Sequence, residues 1–201
     1  MHNLILLLDL LFPPRATRLA VRGYTDGDIK HTFHCVDGIW YATGYSSTLM
    51  QALIIENKFY ATKKATAALS YFLEQFLIEK KLQAAYVVPI PLSKKRQRNR
   101  GYNQVTNILK ATSVPIQIRT DLIQRTKDTP PQVGLERMQR LQNVTGAFSG
   151  TIKACAQIPD NQSILLVDDV FTTGTTLKEA RATLAPLVPP STRIICFAIA
   201  H

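Results

Sequence analysis

The sequence predicts an α/β protein built on a mostly parallel sheet flanked by helices, and three observations carry that prediction. Residues Ser163 to Val167 form a continuous apolar run ending in Asp168 and Asp169, the pattern of a strand buried on both faces. A second such run, Arg193 to Ile199, follows a helical pattern in Leu177, Ala180, Leu184 and Leu187 that is closed by Pro189 and Pro190. Strands alternating with helices in this order favour parallel pairing, because a crossover helix brings the chain back to start the next strand from the same end.

The elements follow in order. Residues 1–45 show no sustained period and carry turn signals at Asp26-Gly27-Asp28 and Asp37-Gly38, so they predict a small irregular, hairpin-rich module. Residues 46–201 form the larger domain. Within it Ala65, Leu69, Phe72, Leu73, Phe76 and Leu77 recur at three- and four-residue steps, which predicts a helix from Thr62 to Lys81. Ala84 to Val88 reads as a buried strand stopped by Pro89, and Val105, Ile108 and Leu109 mark a helix after Gly101. Between them Lys94, Lys95, Arg96, Arg98 and Arg100 read as a solvated face or a mobile loop. Ile116 to Ile118 and Leu122 to Arg125 suggest strands near the sheet edge, and Leu135, Met138 and Leu141 stand at helical spacing.

Composition narrows the function. The 201 residues are 46% hydrophobic and carry a net charge of +10, with a pI near 9.7, which suits an anionic partner without selecting one. No apolar run approaches the roughly 18 residues of a spanning helix. The opening run Leu4 to Phe12 is broken by Asp9 and has neither a basic flank before it nor a small-residue cleavage site after it. No membrane span, no secretion signal and a cytoplasmic location are expected. Three distant cysteines, Cys35, Cys155 and Cys196, do not support a disulfide scaffold.

Chemistry concentrates in Ile164 to Thr176. A buried strand there ends in two carboxylates and passes through a hydroxyl-rich turn into a helix. The free N–H groups and dipole of a helix start favour a phosphate, Thr172, Thr173, Thr175 and Thr176 add hydroxyl donors, and Gly174 leaves room for the backbone to close on the anion. No G-x-x-x-x-G-K-[ST] occurs, which argues against a nucleoside triphosphatase. Carboxylates beside a phosphate are explained by the vicinal hydroxyls of a sugar or by a magnesium ion. Together these features describe a 5-phosphoribose site.

The stretch Val-Asp-Asp-Val-Phe-Thr-Thr-Gly-Thr-Thr, residues 167–176, resembles the phosphoribosyl-pyrophosphate (PRPP) signature of type I phosphoribosyltransferases. The chain resembles more narrowly the ComF family, associated with bacterial competence and DNA uptake. That resemblance rests on Val88-Pro89-Ile90-Pro91-Leu92, Arg96, Arg100-Gly101-Tyr102-Asn103-Gln104, Arg125-Thr126-Lys127, Gln132, Leu135, Arg137, Asn143-Val144 and Ala147-Phe148. It implies a type I phosphoribosyltransferase-like fold and magnesium with PRPP. It also implies site roles. Asp168 and Asp169 are the catalytic pair on the ribose hydroxyls, Thr172, Thr173, Gly174, Thr175 and Thr176 hold the 5-phosphate, and Pro89, Ile90, Lys94, Arg96 and Arg100 face the pyrophosphate.

Leu7 to Arg15 matches the opening of ComF proteins, but the cysteine-rich zinc ribbon that follows in them is replaced here. His31, His34 and Cys35 offer at most three ligands where tetrahedral zinc wants four, so the module is expected to be a degenerate ribbon without zinc. The expected activity is transfer of 5-phosphoribose to a nucleophile with release of pyrophosphate. The alternative is a non-catalytic DNA-uptake accessory that binds single-stranded DNA. A competence-machinery protein and a second copy of the chain are the further partners left open.

Overall fold

The computed structural model describes residues 15–82, 85–127 and 146–201. The chain runs through α1 (Ala16–Gly23), β1 (His34–Val36), β2 (Ile39–Thr43), α2 (Thr48–Tyr60), α3 (Lys63–Glu79), β3 (Tyr86–Pro89), α4 (Lys94–Arg100), α5 (Gln104–Ala111) and β4 (Gln117–Ile118). It continues through β5 (Ile123–Arg125), β6 (Phe148–Gly150), α6 (Ile152–Cys155), β7 (Ser163–Val170), α7 (Thr175–Leu184) and β8 (Arg193–Ala200). Six strands form one sheet in the order β1-β2-β8-β7-β3-β4, parallel throughout except for the antiparallel β1–β2 pair.

The central strands explain the continuous apolar runs. Leu165 and Val167 of β7 and Phe197 of β8 join one core with α2, α3 and α5, while Ile164, Leu166 and Cys196 join a second core under α7. A strand covered on both faces cannot alternate polar and apolar residues. Phe76 and Phe197 stack with ring centroids 4.2 Å apart at the middle of the first core.

Three expectations change and one is narrowed. The hairpin β1–β2 lies in the stretch expected as a separate module, yet β2 pairs in parallel with β8, Ile39 opposite Cys196 and Thr43 opposite Ala200. Ile39 and Ala42 are fully buried, and Phe33 and Trp40 pack on Phe76, so burial ties these residues to the sheet. Residues 16–23 and 48–60 form helices for which the sequence reading had no prediction. The second of them buries Glu56, whose carboxylate accepts from Arg15, Thr17 and Thr62, a charge that breaks the apolar pattern of the helix. Lys94–Arg100 is a helix that buries no residue, a solvated face rather than a mobile loop. Ser93 accepts from the Arg96 N–H at its start, and Gly101 at φ 81 ends it. Ile123–Arg125 pairs with β6 in a separate two-stranded antiparallel sheet, so of the two strands expected near the sheet edge β4 alone joins the central sheet. Leu135, Met138 and Leu141 lie outside the described residues, as does Ala84 of the strand that begins at Tyr86.

Candidate functional site

Strand β7 delivers two acidic side chains to its carboxyl end, and the chain then turns through residues 171–174 into α7. That helix starts without a side-chain cap and with no acidic residue in its first turn, so its leading N–H groups stay open to a ligand. Gly174 sits at φ +70 as the residue before the helix. The hydroxyls of Thr173 and Thr175 lie 2.6 Å apart, holding both at the turn. A capping role for the carboxylates is excluded. Asp168 Oδ1 accepts from the Asp169 N–H and Asp169 Oδ1 from the Val170 N–H, each at 2.9 Å.

A cleft of about 410 Å³ opens over this turn. One wall is Asp168, Asp169 and Thr172 to Thr176; the other comes from α2 through Ile54, Ile55, Lys58 and Phe59. Burial first, and the Asp169 carboxylate second, push the Asp168 carboxyl well above the usual carboxylate range, while the Lys58 charge acts the other way. The shift favours the neutral form of Asp168, which repels an anion less than the charged form does.

The sign of this shift gives a test. The folded carboxyl keeps its proton to higher pH than the unfolded one. It therefore contributes stability below the ordinary carboxylate range that is lost as pH rises through the raised value. Asp168→Asn cannot ionise. We expect it to melt above the native protein at about pH 8, by a margin that narrows as the pH falls toward 4. Equal melting curves across that window would contradict the shift.

Asp169 is only 4% exposed, and its Oδ2 accepts from Gln104 Nε2 at 3.2 Å. The Gln104 Oε1 in turn accepts from Arg100. Burial draws the Arg100 guanidinium below its usual range, and the Asp169 charge opposes that draw, which places the two groups within electrostatic reach. Arg96 is half-buried on the same helix and its charge also acts on Arg100. Lys94 lies exposed at the start of α4, and none of Pro89, Ile90, Lys94, Arg96 and Arg100 is among the residues lining the cleft; Arg100 meets it only through Gln104 and Asp169.

The Pro89-Ile90-Pro91 turn behaves differently from the expectation. Neither proline has an N–H, and the Ile90 N–H donates to the Val167 carbonyl at 2.9 Å as an extension of the sheet. These three residues therefore have no backbone donor to offer a pyrophosphate.

Sequence reading missed Lys58, Phe59 and the bridging role of Gln104. The first two close a helix that carried no clear period, and a lone lysine after Ile54-Ile55-Glu56-Asn57 was the available signal. Among the described residues no group of three or more His, Cys, Asp or Glu side chains converges as a metal site. His31 packs on Phe33 and Tyr71 while His34 packs on Tyr41. Two carboxylates beside an uncapped helix start would suit a magnesium ion that shares its ligands with a bound polyphosphate rather than one caged by the protein.

No family model matches the chain. It is similar to Competence protein F of Haemophilus influenzae, 37% identical over 103 residues, which cover 50% of this chain and 44% of that protein. It is also similar to Competence protein ComFC of Streptococcus pneumoniae, 33% identical over 105 residues, 52% of this chain and 44% of that one. The match thus spans less than half the length of either relative. Among solved structures, orotate phosphoribosyltransferase of Mycobacterium tuberculosis H37Rv aligns over 91% of this chain and 79% of its own, at 14% identity and a TM-score of 0.40. Hypoxanthine phosphoribosyltransferase from Staphylococcus aureus aligns over 66% and 62%, at 20% identity and a TM-score of 0.37.

Proposed function

We propose that the cleft binds PRPP with magnesium and transfers its 5-phosphoribose to a nucleophile, releasing pyrophosphate. The observation that carries this reading is the meeting, in one cleft, of an uncapped helix start ringed by threonine hydroxyls with two carboxylates. The first recognises a phosphate and the second a diol. In a 5-phosphorylated ribose the phosphate and C1 lie at opposite ends of the sugar. With the phosphate on Thr172 to Thr176 and the hydroxyls on Asp168 and Asp169, this reading assigns C1 to the Asp169 side, which Gln104 links to Arg100. Magnesium, when bound with PRPP, neutralises charge on the pyrophosphate. In this reading Arg100 stabilises the negative charge that the leaving group gains, and Lys58 supplies a second cation from the α2 wall. Positioning and charge stabilisation carry most of the rate in such a reaction, so no histidine base is needed.

Lys58→Met tests the wall. It keeps the length of the side chain and removes its charge, and we expect PRPP affinity to fall about tenfold, the value of a lost charge-assisted contact. Unchanged affinity would take α2 out of the site.

The names of the two curated relatives support a second reading. Here the chain is a non-catalytic accessory of competence that holds single-stranded DNA, and its PRPP site is regulatory or vestigial. Lys94, Lys95 and Arg98 are exposed on α4, where a nucleic acid could reach them. A steep salt dependence of oligonucleotide binding favours this reading.

A further inference from the structure

The motif Arg100-Gly101-Tyr102-Asn103-Gln104 has more structure than one cation requires. Gly101 ends α4 in the left-handed region. The Tyr102 hydroxyl donates to the Asn57 carbonyl and accepts from the Ala61 N–H, both at 3.0 Å, fastening the turn to the end of α2. Asn103 caps α5 by accepting from the Val105 N–H at 2.9 Å, and its Nδ2 donates to the Ile90 carbonyl at 2.9 Å. Gln104, 4% exposed, is then the first residue of α5. Its backbone carbonyl accepts from Asn57 Nδ2 at 3.3 Å, and Asn57 Oδ1 accepts from Thr66 at 2.9 Å.

From this arrangement we infer that Gln104 is a positioning residue: its side-chain amide holds Arg100 and Asp169 together in one ligand-ready arrangement, coupling the cation of the pyrophosphate side to the carboxylate of the ribose side. The inference rests on the PRPP reading for its function and on geometry for its existence. The orientation of the amide follows from its partners. Arginine can only donate, so Oε1 faces Arg100, and an ionised carboxylate can only accept, so Nε2 faces Asp169. An acid or a hydrocarbon of the same length cannot satisfy both sides. Glutamine is a neutral group of that reach with a donor and an acceptor on one planar head. Asn57, Tyr102 and Asn103 fix the backbone from three directions, so the amide has little freedom to abandon either partner.

The test has two arms. In the first, calorimetric titration with PRPP and magnesium compares the native protein, Gln104→Met, Arg100→Met and the double variant. Gln104→Met is expected to weaken binding roughly tenfold to hundredfold, as removal of a bond to a charged group does. Arg100→Met added in that background is expected to cost less than about threefold more, because the amide acts through the guanidinium. Additive losses would overturn the inference. The second arm uses nitrogen NMR of the Gln104 side-chain amide in ligand-free protein. Its two N–H signals are expected to exchange slowly with solvent and to move in both Arg100→Met and Asp169→Asn. Signals that exchange fast, or that ignore either change, would overturn the bridge even if Gln104→Met fails to fold. Absence of PRPP binding by the native protein would instead overturn the transferase reading, with the bridge judged on the amide signals alone.

Discussion

Gly174→Ala is expected to abolish measurable PRPP binding and to lower the stability of the protein by about 2 kcal/mol or more. Two independent effects converge on this position. Its φ of +70 lies where an L residue costs roughly 1–2 kcal/mol. A Cβ built on it would stand 2.3 Å from Cδ1 of Ile39, a side chain fully buried in β2. Either the isoleucine rotates within a packed core or the turn moves away from it. The second response swings Thr175 and Thr176 off the cradle. Urea denaturation and PRPP titration on the same preparation check both halves. A variant with native stability and affinity would show that the turn is not built as described. The contact also shows how the sheet's β2 strand supports the site from beneath, although the sequence assigned residue 39 to another module.

Asp169→Asn is the second large effect. A carboxylate at the end of a strand is ordinarily exposed, and its change then leaves folding intact. In the structure Asp169 is buried and accepts from two donors, the Val170 N–H and Gln104 Nε2. An asparagine has one oxygen and one NH2 head, so it meets at least one of those donors with a donor of its own. We expect PRPP affinity to fall a hundredfold or more, as the diol loses an acceptor and Arg100 loses its alignment. Stability should fall by about 1–2 kcal/mol. Its neighbour is expected to behave oppositely, since Asp168→Asn relieves a carboxyl that burial disfavours in its charged form. Two isosteric changes at adjacent positions, one destabilising and one stabilising, are checked by thermal melts side by side at neutral pH.

The residues legible in the sequence are those whose local pattern and final environment agree. Strands β7 and β8 read as apolar runs because both their faces are covered, and α3, α5 and α7 read at helical spacing because each buries one stripe. The turn from Asp168 to Thr176 was legible because two carboxylates, four threonines and a glycine stand together in one short stretch. Other parts depend on contacts distant in sequence. Helix α2 buries Glu56 against Arg15, 41 residues away, and no periodicity records such a partner. The hairpin β1–β2 has little pattern of its own and becomes part of the sheet only when β8 lies beside it. Helix α4 carries cations on every side and buries no residue, so its helical state is set by the Ser93 cap and the Gly101 stop rather than by an apolar face. At the site, Lys58 and Gln104 reach Asp168 and Asp169 from elements more than 60 residues earlier, which spacing cannot show.

The measurement that bears most directly on the central claim is calorimetric titration of the native protein with PRPP and magnesium, with ribose 5-phosphate and a single-stranded oligonucleotide as comparison ligands. Saturable PRPP binding in the micromolar range is expected, with weaker binding of ribose 5-phosphate, which lacks the pyrophosphate proposed to face Arg100, and loss of the PRPP signal in Asp169→Asn. No heat with PRPP, together with salt-sensitive binding of the oligonucleotide, would contradict it and leave the protein to be pursued as a DNA-handling accessory.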